Sequence, residues 1–386
     1  MTKLNMLPVI LPHREVPIYI SGISQDFLYP LIGELKSQDD YFRFQHETSA
    51  VIDSIKEEEI RRFYSNSNFP EYNPSLQFIH ENRKDNVRIR GVHSRVYALA
   101  LGSIEDSFLP SIGAGIEFLL EYMYYLNQIF DSKSNPNPCK NSVAGAHSLD
   151  MAYRLITGSS QTGSLNPLFN KIVNGFLYGE LFDCNHNTWQ KLRESSLEQK
   201  INSCDKRTYY IDALFFQLIA EIADTFAKSQ GREVNPKKRD ALSAYAHYYG
   251  MGLQVVNDIA DFVPPSLNRG TSEKTPDDSY ADIKNGKMTY PIIMMLELAN
   301  QDDRKKIISA LEGNLQNEQY EDLTKIFVNS GAYGKCKALA RDYQRKALDM
   351  AREFPEPASF LLSRLSIMLA SNRYYATFTQ IKEIQK

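Results

Sequence analysis

An all-α bundle is the fold class this sequence predicts, and three observations carry it. No stretch alternates apolar and polar residues over the length of a strand. Long segments instead repeat apolar residues at helical spacing, and the most apolar of them, residues 112–130, reads as a buried helix. The 386 residues allow one large domain or two ordinary ones, and 42% hydrophobic with 24% charged residues is globular composition. A net charge of −3 favours neither nucleic acid nor an anionic membrane surface as the main partner. No apolar run is long enough to span a bilayer, and the proline-broken start does not read as a secretory segment. Cys139, Cys184, Cys204 and Cys336 stand far apart without metal spacing, so they are expected as free thiols in a reducing cytoplasm.

Taken in order, residues 1–84 carry no motif. Residues 28–35 and 48–64 have near-helical apolar spacing, and the polar, proline-containing residues 65–74 read as a loop. The segment is expected to be an N-terminal extension whose helices pack against the core. A basic stretch with Arg88 and Arg90 then opens a helix. The apolar run of 112–130 ends in Leu126-Asn127-Gln128-Ile129-Phe130-Asp131, and further amphipathic segments cover Ile292 to Leu296 and residues 331–375.

The chemistry concentrates between residues 250 and 291. Met251, Leu253, Val255, Val256, Ile259 and Phe262 fit a largely buried helix that Pro264 and Pro265 terminate. On it, Asn257, Asp258 and Asp261 lie at i, i+1 and i+4, which points an amide oxygen and two carboxylates toward a common side. Burying two carboxylates costs several kcal/mol unless a cation meets them, and Mg²⁺ suits all-oxygen ligands. Some twenty residues on, Asp282-Ile283-Lys284-Asn285-Gly286-Lys287-Met288-Thr289-Tyr290-Pro291 sets lysines around a glycine that lets backbone approach a ligand. Acids for a metal and lysines for phosphate suggest a diphosphate substrate.

These stretches resemble the trans-isoprenyl diphosphate synthases, the polyprenyl synthetase family. The family's FQxxDDxxD reads here Leu253-Gln254-Val255-Val256-Asn257-Asp258-Ile259-Ala260-Asp261, and its GKxTxP reads Gly286-Lys287-Met288-Thr289-Tyr290-Pro291. The resemblance spans residues 85–386. It implies an isoprenoid-synthase-type helical bundle around a central prenyl cavity, with a homodimer as the usual assembly. It sets Arg88 and Arg90 on the arginines of a GKRxRP segment, with Val87 where a lysine meets the diphosphate of the acceptor, isopentenyl diphosphate. It sets Asn127, Gln128 and Asp131 on the first motif DDxxD, so two aspartates are replaced by amides. It also sets Asp150 on GDALL, Gly179 to Asp183 on a GQxxD segment, and Lys206-Arg207-Thr208 where a Lys-Thr pair contacts diphosphate.

The implied reading is an enzyme that ionises an allylic prenyl diphosphate with Mg²⁺. Asp258, Asp261, Lys287, Arg207, Thr208 and Gln254 would act in catalysis. Asp258, Asp261, Asn257 and, more weakly, Asp131 would hold metal. Arg88, Arg90, Asn127, Gln128 and Lys287 would bind substrate; Asn127, Gln128 and Asp131 equally read as hydrogen-bonding groups at a cavity mouth. The altered first motif and missing lysine favour cyclisation, water capture or transfer to another acceptor over elongation with isopentenyl diphosphate. Two alternatives stay open: a conventional elongating synthase, and a non-catalytic regulatory subunit of a heteromeric one.

Overall fold

The computed structural model describes residues 9–11, 14–16, 38–66, 88–102, 108–131, 138–158, 165–264, 279–314 and 319–370. A short antiparallel hairpin, β1 (Val9–Leu11) and β2 (Arg14–Val16), pairs Val9 with Val16. It was not expected, because strands of three residues are too short to establish an alternating pattern. The rest is helical: α1 (Gln38–Asn66), α2 (Ile89–Ala100), α3 (Phe108–Asp131), α4 (Pro138–Thr157), α5 (Asn166–Asn185), α6 (Trp189–Leu192) and α7 (Leu197–Thr208). A π-turn, Tyr209–Ala213, leads into α8 (Leu214–Ser229), followed by α9 (Pro236–Ala260), α10 (Ala281–Lys284), α11 (Tyr290–Leu298), α12 (Gln301–Leu311), α13 (Tyr320–Asn329), α14 (Ala332–Ala351) and α15 (Ala358–Ala370).

Helix ends follow local chemistry. Ser196 and Gln199 form a reciprocal capping box at the start of α7. Asn235 accepts from the Lys237 amide with Pro236 in the first turn of α9, a start that tolerates a residue with no amide donor. The predicted helix across residues 251–262 is the C-terminal half of α9, which gives way to a turn at Asp261 just before Pro264. Ser65 and Asn66, expected in a loop, are the last residues of α1. The helix read over 28–35 and the loop from 67 lie outside the described residues, as do residues 371–375 of the last predicted segment.

The apolar stripes bury against one another in two clusters. The larger runs through α2–α5, α8, the first half of α9, α14 and α15, and the second gathers the last turns of α9 with α10–α14. The widest packing is α3 on α4 and α9 on α14. Helix α1 lies in the segment read as an extension; it packs on α2 and α3 and buries Tyr41 and Ile52. Where α9 crosses the π-turn, a Cβ at Gly250 would come within 2.5 Å of the Ala213 Cα, so only glycine permits this backbone contact. Among the described residues no helix is long and apolar enough to cross a membrane. The four cysteines are free thiols, Cys204 and Cys336 buried.

Candidate active site

Helices α5, α7 and α9 bring their last turns together at one end of the bundle, and each contributes a buried charge there. Asp183 stands near the end of α5, Arg207 in the last turn of α7 and Asp258 near the end of α9, all at most 4% exposed. The Arg207 Nε lies 2.8 Å from Asp183 Oδ1, and its Nη1 donates to both oxygens of Asp258 at 3.0 and 3.1 Å. One guanidinium thus bridges two carboxylates from different helices, which its planar fork can do and a lysine ammonium cannot. Gln254, one turn before Asp258, donates to Asp258 Oδ1 at 2.7 Å.

The GKMTYP segment closes the cluster from a fourth direction. Gly286 has φ 69°, a left-handed conformation that favours glycine. The carbonyl of Gly286 accepts from the Trp189 amide, and Met288 and Asn187 exchange hydrogen bonds that strap the segment to the α5–α6 connection. Held this way, Lys287 sets its Nζ 2.8 Å from Asp183 Oδ2. Asn187 also donates to Asp183 Oδ1, at 3.3 Å, and accepts from Ser203.

Asp261 has a separate task. Its carboxylate accepts from the amides of Ala281 and Asp282 at 3.1 and 3.2 Å, and its carbonyl accepts from Tyr280, so it fixes the chain entering α10. Tyr280 adopts φ 63° there and ties its hydroxyl to Thr324. The turn places Asp282, 9% exposed, beside the Arg207–Asp258 pair.

The electrostatics of the cluster follow from its unequal charges. Burial pushes the Asp183 carboxyl up, but Arg207 and Lys287 more than offset this and hold it below its ordinary value. Burial pulls the Arg207 guanidinium down, and Asp183, Asp258 and Asp282 together keep it well above its usual range. For Asp258 burial prevails: with Asp282 adding to it and Arg207 opposing it, the carboxyl is pushed up to about 6. Two buried hydroxyls, Thr208 Oγ1 and Thr289 Oγ1, have no hydrogen-bond partner.

Among the described residues, Asp183, Asp258 and Asp282 face two cations, Arg207 and Lys287, an excess of one negative charge. All-oxygen donors with that excess fit a hard dication such as Mg²⁺. As the side chains stand, protein groups hold these carboxylates, and among the described residues no three acidic, histidine or cysteine side chains are grouped to share an ion.

The other predicted residues lie elsewhere. Asn257 is half-buried on α9. Asn127, near the end of α3, keeps a buried Oδ1 with no partner. Gln128 and Asp131 belong to α3, but their side chains lie outside the described residues. Arg88 and Arg90 are buried and committed to protein acids. Arg88 Nε donates to Asp53 at 2.6 Å, and Arg90 Nη2 reaches Asp212 Oδ1 at 3.5 Å. Around them, Lys56 pairs with Glu121, and Glu117 accepts from the Gly91 amide. The sequence reading had assigned no part to Asp212, Asn187, Asp282 or this network. Glu117 and Glu121, two acids four apart on the most apolar helix, were the available signal.

Residues 141–328 match the family described as Polyprenyl synthetase. Over 113 residues the chain is 32% identical to a short chain isoprenyl diphosphate synthase of Methanothermobacter thermautotrophicus, covering 29% of this chain and 33% of that protein. The chain spans about a third of the length of this and two further curated relatives. Two solved structures share the fold. A polyprenyl synthase from Caulobacter crescentus CB15, complexed with calcium and isoprenyl diphosphate, superposes with TM-score 0.72 at 17% identity, covering 87% of this chain and 98% of its own. A geranylgeranyl pyrophosphate synthase from Corynebacterium glutamicum, complexed with isoprenyl diphosphate and magnesium, gives 0.68 at 16% identity, covering 85% and 98%. The matched segment contains Asp183, Arg207, Asp258 and Lys287, the four side chains that meet at the ends of α5, α7 and α9, and this segment, residues 141–328, is a polyprenyl synthetase family segment.

Proposed function

We propose that the protein is a prenyl-transfer enzyme that takes an allylic prenyl diphosphate with Mg²⁺ and passes the prenyl group to an acceptor or cyclises it. The observation that carries this reading is the Asp183–Arg207–Asp258–Lys287 cluster with Asp282 beside it, which has one more acid than base, and the two unpartnered hydroxyls of Thr208 and Thr289. Lys287 and Arg207 bring positive charge to a departing diphosphate, and the Thr208 and Thr289 hydroxyls are free to donate to its oxygens. Gln254 orients Asp258, and Asp261 orients Asp282 through the backbone of α10. Asp258, Asp282 and Asn257 are the groups that would hold Mg²⁺, and Asn127 on α3 keeps an unpartnered oxygen; the ion would neutralise charge developing on the leaving group.

The test is incubation with Mg²⁺ and geranyl, farnesyl or geranylgeranyl diphosphate, following diphosphate release and extractable products. Release that Asp258→Ala abolishes without loss of helix content supports the reading. Wild-type release that survives in Asp258→Ala removes this site assignment.

A second reading, a non-catalytic partner of an active synthase, is favoured by one observation: Arg207 covers both oxygens of Asp258, the carboxylate that metal would need. It predicts co-purification with an active synthase of the source organism and a changed product length. Failure to pair counts against it. Assembly as a homodimer belongs to the first reading and is checked by sedimentation.

A further inference from the structure

Two ties hold helix α7 to the GKMTYP segment, and they act on different faces of the helix. The first runs through Asn187, which accepts from Ser203 on α7 and exchanges hydrogen bonds with Met288. Ser203 lies one turn before Arg207, so this tie is on the arginine face. The second is direct: the Tyr290 hydroxyl donates to Asp205 Oδ1. Asp205 is two residues past Ser203, about 200° further round the helix, and shares its face with Thr208 three residues on.

Charge pairing does not account for Asp205. It is half-buried, and among the described residues no cation pairs with it. The neighbouring Lys206 turns away, its Nζ lying 5.6 and 4.7 Å from the Tyr178 and Phe182 ring centres. At the other end of the bond, Tyr290 is buried as the first residue of α11. Thr289 before it is the N-cap of that helix yet makes no side-chain capping bond, and its hydroxyl, like that of Thr208, has no partner. The bond thus joins a residue one turn from Thr208 to the residue next to Thr289. A helix held on one face can roll about that contact, whereas one held on two opposed faces cannot. The second tie therefore fixes the rotation of α7, and with it the approach of Arg207 and Lys287 to the Asp183 carboxylate they share.

Resting on the prenyl-diphosphate reading above, we infer that Asp205 and Tyr290 are a positioning pair, whose hydrogen bond locks the roll of α7 against the start of α11 so that Arg207, Thr208, Lys287 and Thr289 present their donors to one diphosphate. Tyr290 fills an open position of GKxTxP, and Asp205 lies outside the Lys-Thr pair, so no motif marks either of them. Both act through the donors beside them. A misplacement of about 1 Å is enough to cost such donors much of their effect.

The experiment is calorimetric titration of the full chain with inorganic pyrophosphate in Mg²⁺, with circular dichroism as the control for folding. It compares wild type, Tyr290→Phe, Asp205→Leu, Asp205→Asn and the double variant Tyr290→Phe with Asp205→Leu. Tyr290→Phe and Asp205→Leu are each expected to weaken binding about fivefold or more, and the double variant no further than either alone. Asp205→Asn keeps an oxygen for the phenol and should stay within about twofold of wild type. Folded Tyr290→Phe that binds as wild type does, even with a lowered denaturation midpoint, overturns the inference, because the bond then serves folding alone. Losses that multiply in the double variant, or Asp205→Asn as weak as Asp205→Leu, overturn it too. If wild type binds no pyrophosphate, the prenyl-diphosphate reading fails, and amide hydrogen exchange decides the lock. Tyr290→Phe should speed exchange in residues 203–208 and 286–290 and leave α14 unchanged; exchange that is unaltered, or raised equally in α14, overturns it.

Discussion

The network at α1–α3 and the cluster at the ends of α5, α7 and α9 both bury several charges among helices, yet they differ in how those charges are paired. In the first, each base pairs with an acid supplied by another element, Arg88 with Asp53 and Arg90 with Asp212. In the second, three acids share two bases, the central carboxyl is lifted to about 6, and two neighbouring hydroxyls lack partners. Burying charge does not by itself mark a site, since well-paired ions can be purely structural. An unpaid excess of one sign, with unsatisfied polar groups around it, leaves room for a ligand.

The sharpest break of the comparison is at the network of separate pairs. Glu121→Ala leaves the Lys56 ammonium buried without its partner and should cost about 3–5 kcal/mol, read as a fall in the denaturant midpoint; replacing the pair by Lys56→Met with Glu121→Leu should recover most of it. The cluster of shared charges should respond in rate instead. Asp258→Asn keeps the shape, and diphosphate release should fall by about 10²–10³, a loss of roughly 3–4 kcal/mol of transition-state stabilisation, with the fold intact by circular dichroism.

The pH dependence separates two carboxylates within the second cluster. Asp258 is raised from 3.8 to about 6, so between those values the folded chain holds a proton that the unfolded chain releases. The contribution of this group to stability is therefore fully present below about pH 4 and lost as pH rises through 6. Asp183 runs the other way: held below its ordinary value, it stabilises at neutral pH and loses that contribution as pH falls through its lowered value. Denaturation midpoints from pH 4 to 7 should fall less steeply with rising pH in Asp258→Asn than in wild type. The smallest effect is at the loop that carries Lys287. Gly286→Ala forces a side chain into φ 69° with the Leu311 carbonyl 3.4 Å away and should cost about 1 kcal/mol, with a matching loss of diphosphate affinity as Lys287 shifts.

Much of the second cluster was legible because its signals are local. Asp258, Asp261 and Gln254 sit within nine residues on one helix, and Gly286 and Lys287 sit together in one turn. Arg207 was placed only by resemblance, and its bridge from Asp183 to Asp258 joins residues 75 positions apart on two other helices. Asp261 shows the limit of helical spacing: one turn after Asp258, it lies where α9 has ended and serves backbone amides. The commitment of Arg88 and Arg90 was not legible, because Asp53 and Asp212 approach from α1 and from the π-turn.

By itself the sequence determined the helical class, the main helices and the family resemblance, since apolar spacing and compact motifs depend on neighbours a few residues apart. Only the tertiary structure decided which charges face each other. Salt bridges form between helices whose separation in sequence carries no periodic signal, so whether an arginine is offered to a ligand or held by an aspartate is fixed by packing.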